Sequence, residues 1–478
     1  MIYLAMDVGT TGLKAALIRA SGEVLGTASA TYASRTYAGG IVEQDAEDWW
    51  QVTLSVIQNL AASDAEAIVL TGQMQNLLLL DNAGQPLRPV ILYSDSRASA
   101  EAEAIKVEMG KDRLRGQTGN DQEAGSLLAK LRWLQIYEPE TLSRSKHLLL
   151  GAADYLAYKF TGNFVTDTTT AATTGLMDLT KGAWAEDLLE ELSLSETLSL
   201  LPELVEGGSE IGTLHLDMPG IRRGIPVYLA PGDAGTATLG MGSGIAGRPY
   251  AYMGTSGWVA YTSAFRGEAA QGVFTLAHPD AELFICVAPL LTAGGNLNWA
   301  RSQLGFATYE EMINGALSRP KSSLLYLPYL NGERSPFSDP YARGAFIGLS
   351  SSHSKADMAR AVLEGVAFAY KHALSALIQE PIDKLLFTGG GSRSSRFAQL
   401  LADVTGLEVS IPAQPEFTGL RGAVLSAQAL KTGQGYALSP EIAQTLTPKK
   451  SDYEAKYELF LEAYKHLKNL FGKLRLLS

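Results

Sequence analysis

The chain has 478 residues, 46% of them hydrophobic and 19% charged, with a formal net charge of −11. That length exceeds one ordinary core, so two domains are expected, and the composition is globular, not disordered. The acidic balance excludes a nucleic-acid-binding surface, which needs clustered Lys and Arg, yet leaves room for a nucleotide held by backbone N–H groups and a metal ion. The single cysteine, Cys286, cannot form an internal disulfide and reads as a small core residue in the apolar run 283–287. The chain opens on a strand-like run without a basic leader, and no apolar run reaches about 18 residues. The expectation is a cytoplasmic protein without membrane contact.

In chain order, residues 3–6 are apolar, 9–12 carry turn chemistry and 13–18 are apolar again. Ser21-Gly22-Glu23 makes a second turn before 24–32, which completes a three-stranded antiparallel meander. Residues 46–60 have helical spacing, with Trp49, Trp50, Val52 and Ile57 among the apolar positions. A short buried strand over 67–70 ends at Gly72-Gln73-Met74-Gln75. Helix and strand then alternate to residue 228, the pattern of an α/β domain. Gly9-Thr10-Thr11-Gly12 recurs as Gly254-Thr255-Ser256-Gly257, again between strand-like runs, 249–253 and 258–262. Two copies imply two similar domains, 1–244 and 245–478, joined near 242–247, where Gly242, Gly244 and Gly247 suit a hinge or an ordinary loop. Asp7 before the first hairpin corresponds to Tyr252 before the second, so only the first can hold a metal through an acid. At the far end, 451–477 reads as a helix packing on the second domain.

The chain has no Gly-x-x-x-x-Gly-Lys-Ser/Thr segment, so a P-loop is excluded. Hairpins rich in Gly and Thr can do the same work, because glycines let backbone N–H groups approach oxyanions and hydroxyls add donors. Gly9, Thr10, Thr11 and Gly12 would grip phosphates from one side and Gly254, Thr255, Ser256 and Gly257 from the other, with Lys14 adding a charge. Thr388-Gly389-Gly390-Gly391-Ser392 lies between a strand (384–387) and a helix (396–404), a setting that suits phosphates, a nucleoside or a plain turn. Asp233, after strand 227–230 and before the small-residue helix 235–239, reads either as a helix N-cap or as a general base.

These residues resemble the FGGY carbohydrate kinases from Tyr3 to about Leu430. Gly344-Ala345-Phe346-Ile347-Gly348-Leu349, followed after seven residues by Asp357-Met358-Ala359-Arg360-Ala361-Val362-Leu363-Glu364, is similar to the family's second signature. Gly332-Glu333-Arg334-Ser335-Pro336 is similar to its Gly-Glu-Arg-Thr/Ser-Pro loop. Lys130-Leu131-Arg132-Trp133-Leu134 fits the first signature, which Leu127 departs from. The resemblance implies two RNase H-like α/β domains of the actin/Hsp70 type flanking a catalytic cleft. It implies ATP and Mg²⁺ as cofactors, Asp7 placing the metal with Asp233 beside it, Thr10 and Thr255 at the phosphates, and the adenosine at Gly389, Gly390, Gly391 and Ser392. It makes Asp233 the base toward a small sugar.

Gln73, Met74 and Gln75 look like a xylulokinase sugar segment in which Gln75 replaces histidine, and Ala234 stands where those relatives carry asparagine. Asp95-Ser96-Arg97, the segment 172–179 and Gly294-Gly295-Asn296 look at least as much like gluconokinases. Asp95 and Arg97 therefore join the substrate candidates, and Gly295 the nucleotide candidates. A ketopentose is the expected acceptor, and a sugar acid or polyol the alternative. An actin/Hsp70-type binding protein or an inactive pseudokinase stays open from another class, and a homodimer is the ordinary expectation for a metabolic enzyme.

Overall fold

The computed structural model describes residues 1–378, 380–449 and 452–474. The expected meander is present: Ile2–Val8, Gly12–Arg19 and Val24–Thr31 pair antiparallel in sequence. Two further strands, Ala67–Gly72 and Pro226–Leu229, continue parallel to the first, and Ser209–Thr213 closes the far edge antiparallel. Side chains alternate between two buried faces, as a sheet covered on both sides requires. Leu4, Met6, Val8, Ile68 and Leu70 face the helices Ala46–Leu60 and Ala152–Thr161. Tyr3, Ala5, Ala67 and Val69 face Leu420, Ala423, Val424 and Ala427.

The second sheet repeats the plan. Tyr250–Met253, Gly257–Ser263 and Phe284–Leu290 form the antiparallel part. Lys384–Thr388 and Glu408–Pro412 follow in parallel, and Ile442–Leu446 is the antiparallel edge. Phe274–Ala277 adds a seventh strand beside Phe284–Leu290. The fold is thus a two-domain α/β architecture in which one six-strand order occurs twice. Cys286 lies buried on the third of these strands, its thiol pushed up to about 12 by burial, which makes it a core residue.

Local chemistry explains the helix that braces the first hairpin. Asp45 accepts the Glu47 N–H and caps Ala46–Leu60, Glu47 and Asp48 complement the helix dipole, and Ala61 ends the helix in the left-handed region. The expected C-terminal helix spans Glu454–Leu474; positions 451 and 475–477 lie outside the described residues. It buries Tyr457, Phe460, Tyr464 and Phe471 in the second core, and its Lys456 pairs with buried Glu364. Among the described residues no helix is long and apolar enough to cross a membrane.

The halves meet on two sides. Asn120 exchanges two hydrogen bonds with the Thr275 backbone, 2.8 Å each, and Thr169 donates to the Ala277 carbonyl at 2.8 Å. Opposite, the helix Thr418–Thr432 returns from the second sheet to cover the first and crosses Asp233–Gly240 at very short range. A Cβ on Gly422 would run into the Thr236 carbonyl and come within 2.7 Å of the Gly240 nitrogen. Only glycine permits that approach.

Candidate active site

The strands Ile2–Val8, Ala67–Gly72 and Pro226–Leu229 run parallel, so their C-terminal ends bring Asp7, Gln73 and Asp233 to one edge of the first sheet. Clefts at such an edge are the usual ligand sites of parallel sheets. Asp233 is the first residue of the helix Asp233–Gly240; the N-cap position expected for it belongs to Gly232. The Asp233 Oδ1 accepts the Ala234 N–H at 2.7 Å. Burial raises its carboxyl to about 7, the nearby charge of Asp7 adds to the rise, and the Ala234 hydrogen bond opposes it. Asp7 is raised to about 6 by burial, with Lys14 pulling the other way, and its Oδ1 is buried without a partner.

The first hairpin is closed by the Gly9 N–H on the Gly12 carbonyl at 3.0 Å. Its backbone is held from below: Gln44 donates to the Thr10 carbonyl at 2.6 Å, and the Tyr32 hydroxyl donates to that of Gly9. Thr10 Oγ1 stands 3.4 Å from the Tyr93 hydroxyl, while Thr11 and Lys14 are exposed. Lys14 also reaches the Glu416 carbonyl at 3.2 Å.

The second hairpin closes through the Gly254 N–H on the Ser256 carbonyl at 2.9 Å. The N–H groups of Gly294 and Gly295, at the start of the helix Gly294–Gln303, donate to the Gly254 and Thr255 carbonyls. Gly257 lies against Ala293 and the Tyr370 hydroxyl. Beside this hairpin opens a cavity of about 920 Å³, within the size range of small-ligand sites. Gly254, Thr255, Gly295, Gly390 and Gly391, all among the nucleotide candidates named above, line it. Gly389 packs under Met253 at φ +88°, and Ser392 donates to the Gly389 carbonyl at 2.8 Å, so these two shape the turn behind the wall. The opposite wall (Asn298, Tyr309, Asn314, Arg393 and Arg396) was not anticipated. Arg393 follows the glycine triplet and Ser392, which was its one available signal; the others arrive by tertiary packing.

The sugar-side candidates divide. Gln73 donates to Gln44 Oε1 at 2.9 Å, and its own Oε1 is buried and unpartnered. Met74 packs on Gly232, where a side chain would also meet Thr170 Oγ1 at 2.7 Å. Gln75 adopts a left-handed backbone, φ +58°, and its amide donates to the Thr173 carbonyl. Asp95 and Arg97 belong to an ion cluster instead. Arg97 pairs with Asp95 at 2.8 Å and Glu43 at 2.7 Å, and its guanidinium lies 5.0 Å from the Trp133 ring centroid. Asp95 is buried and accepts the Val42 N–H at 2.6 Å. Both are occupied within the protein and brace the segment leading to Tyr93. Lys130, fully buried, donates to the Leu92 carbonyl at 2.7 Å from the same side. In the Gly-Glu-Arg-Ser-Pro loop, Glu333 accepts the Leu291 and Arg334 N–H groups, and Arg334 pairs across the cleft with Glu123.

Comparison with known proteins agrees with this geometry. The profile of the FGGY carbohydrate kinase N-terminal domain matches residues 2–240, and that of the C-terminal domain matches 250–430. A xylulose kinase of Escherichia coli strain K12 is 31% identical over 441 residues, covering 89% of this chain and 90% of that protein. The crystal structure of a gluconate kinase from Lactobacillus acidophilus superposes with a TM-score of 0.91 at 26% identity, covering 99% of both chains. That of a xylulose kinase from Rhodospirillum rubrum gives 0.90 at 27%, covering 99% of this chain and all of the other. With both family domains in order and the paired hairpins in place, the chain belongs to the FGGY family of carbohydrate kinases, enzymes that use ATP.

Proposed function

We propose that this kinase transfers the γ-phosphoryl group of ATP to a hydroxyl of a ketopentose of the xylulose type, between catalytic halves 1–244 and 245–478, as a cytoplasmic enzyme. The observation that carries the reading is Asp233, half-buried at a helix start beside Asp7, on the same edge as Met74 and Gln75. The sugar hydroxyl donates its proton to the Asp233 carboxylate as its oxygen attacks the γ-phosphorus, and ADP leaves. In a loose transition state the proton moves late, so a base of modest strength suffices and positioning matters more. Thr10 and Thr255 offer hydroxyls to the phosphates from the two hairpins, and the cavity behind Thr255 takes the nucleoside.

Mg²⁺ fits the residues present. Asp7 keeps one anionic oxygen buried and unpartnered, the state in which a carboxylate suits a cation or its bound water. Among the described residues no group of three or more His, Cys, Asp or Glu could hold a metal alone, so Asp7, with Asp233 nearby, would hold it together with nucleotide oxygens. When bound, the ion neutralises charge on the phosphates.

Gluconate is the second reading, favoured by the engagement of Gln75 with Thr173 and the bare methyl at Ala234. Losing a hydrogen bond to a substrate hydroxyl costs about 1–3 kcal/mol, enough to change which sugar is preferred. An ADP-release assay across D-xylulose, L-xylulose, ribulose, gluconate and glycerol decides. The ketopentoses should give the highest kcat/KM. A preference for gluconate selects the second reading, and no stimulation by any of them removes both.

A further inference from the structure

The loop that carries the proposed base is gripped from both sides. On one side Asp167, 1% exposed, uses Oδ1 to accept the Gly232 N–H at 3.3 Å and the Thr170 N–H at 2.9 Å. Its Oδ2 accepts the Thr170 hydroxyl at 2.6 Å. On the other side Thr71, fully buried on the strand beside Asp7, donates its hydroxyl to the Pro231 carbonyl at 2.7 Å. Thr71 Oγ1 also lies 3.1 Å from Thr236 Oγ1, and the Thr236 hydroxyl reaches back to the Asp233 carbonyl at 3.2 Å. The Pro231–Gly232 peptide group, one before the peptide that leads into Asp233, is therefore held at its N–H and at its carbonyl by side chains 65 and 160 residues away in sequence.

Capping explains only part of this arrangement. Asp167 is the N-cap of the short helix Thr168–Ala172, a role that needs the Thr170 N–H alone. The bond to Gly232 adds nothing to that helix and falls next to the base. Gly232 can donate it only because its bare backbone fits between Met74 and Thr170. A reacting carboxylate must be held within a fraction of an ångström, and second partners of this kind supply that constraint.

We infer that Asp167 and Thr71 are positioning residues that together clamp the Pro231-Gly232-Asp233 loop and so aim the Asp233 carboxylate at the sugar hydroxyl. The inference rests on Asp233 being the base. Both side chains are buried and spent on the loop, so their loss should lower kcat while leaving the KM for ATP in place.

The test compares Asp167→Ala, Asp167→Asn and Thr71→Val with wild type and Asp233→Ala, using the sugar with the highest kcat/KM. Asparagine keeps an oxygen for both N–H groups and an amide for the Thr170 hydroxyl, so Asp167→Asn should stay within about threefold of wild-type kcat. Asp167→Ala should lose about 100-fold, the scale of a misplaced group, and Thr71→Val about tenfold, with KM for ATP within about twofold in each. Asp167→Ala within threefold of wild type overturns the clamp, as does Asp167→Asn as impaired as Asp167→Ala. A rise in the KM for ATP that matches the fall in kcat also overturns it. Should Asp167→Ala fail to fold, the isosteric Thr71→Val decides, and an unchanged kcat there is fatal. An inactive Asp233→Ala beside an active Asp167→Ala sinks the clamp alone, whereas an active Asp233→Ala sinks the base and the clamp together.

Discussion

On the central strand of each sheet, Asp7 pairs with Lys14 across the first hairpin and Tyr252 with Trp258 across the second. In the first pair the Lys14 charge acts on a carboxyl whose Oδ1 is buried. The other is a ring stack with centroids 4.0 Å apart, and the Tyr252 carbonyl accepts the Tyr370 hydroxyl at 2.6 Å. The second turn is one residue shorter, closing on Ser256 where the first closes on Gly12, and the chemistry beside it differs as well. The first hairpin leaves a buried carboxylate oxygen without a partner, while the second lines the cavity beside Thr255, its carbonyls pinned by a helix start.

The sharpest test of this asymmetry is Asp233→Ala, since the proposed base lies on the Asp7 side. Transfer should fall by about 10³–10⁴-fold while nucleotide binding, measured by calorimetry, stays near wild type. Near-normal turnover would take Asp233 out of the mechanism. Asp7→Asn should cost about 100-fold, with half-saturation by Mg²⁺ moving to higher concentration in a metal titration. An unchanged metal dependence would erase the contrast with Tyr252. On the other hairpin the expected effect is on stability. Tyr252→Ala removes a stacked ring and should lower unfolding stability by about 2 kcal/mol in urea, leaving Mg²⁺ half-saturation unmoved. If that variant instead shifts the metal titration, the division of labour between the hairpins is wrong.

The sequence made the hairpins legible because each sits between apolar runs whose period is that of a strand, and the motif itself recurs. It made Asp233 visible but left open whether that residue caps the helix. A cap and a first helical residue look alike when the preceding residue is glycine, and only backbone geometry separates Gly232 from Asp233. Asp95 and Arg97 entered through resemblance, and the partner that occupies Arg97, Glu43, lies 54 residues away with nothing in the sequence to join them. The crossing of Thr418–Thr432 onto the first sheet was equally hidden. Its small residues suit burial anywhere, and only packing shows that Gly422 meets Thr236. Asp167 was passed over because a Thr-Asp-Thr-Thr-Thr run reads as an ordinary helix start, which it also is.

The pH profile offers the smallest effect and the most direct view of how the first hairpin acts on the base. Burial and the negative charge of Asp7 both disfavour the Asp233 carboxylate, so its pKa lies at about 7, above the ordinary carboxylate range. Only the ionised form accepts a proton. Activity must therefore rise with pH through that value and fall on the acid side. With MgATP well below saturation, kcat/KM for the sugar should drop about tenfold for each pH unit below 7. Asp7→Asn removes the neighbouring charge that lifts the base, so in that variant the acid limb should move to lower pH. A limb that stays in place would mean that Asp7 does not lift Asp233, leaving burial and the charge of Asp167 to do so.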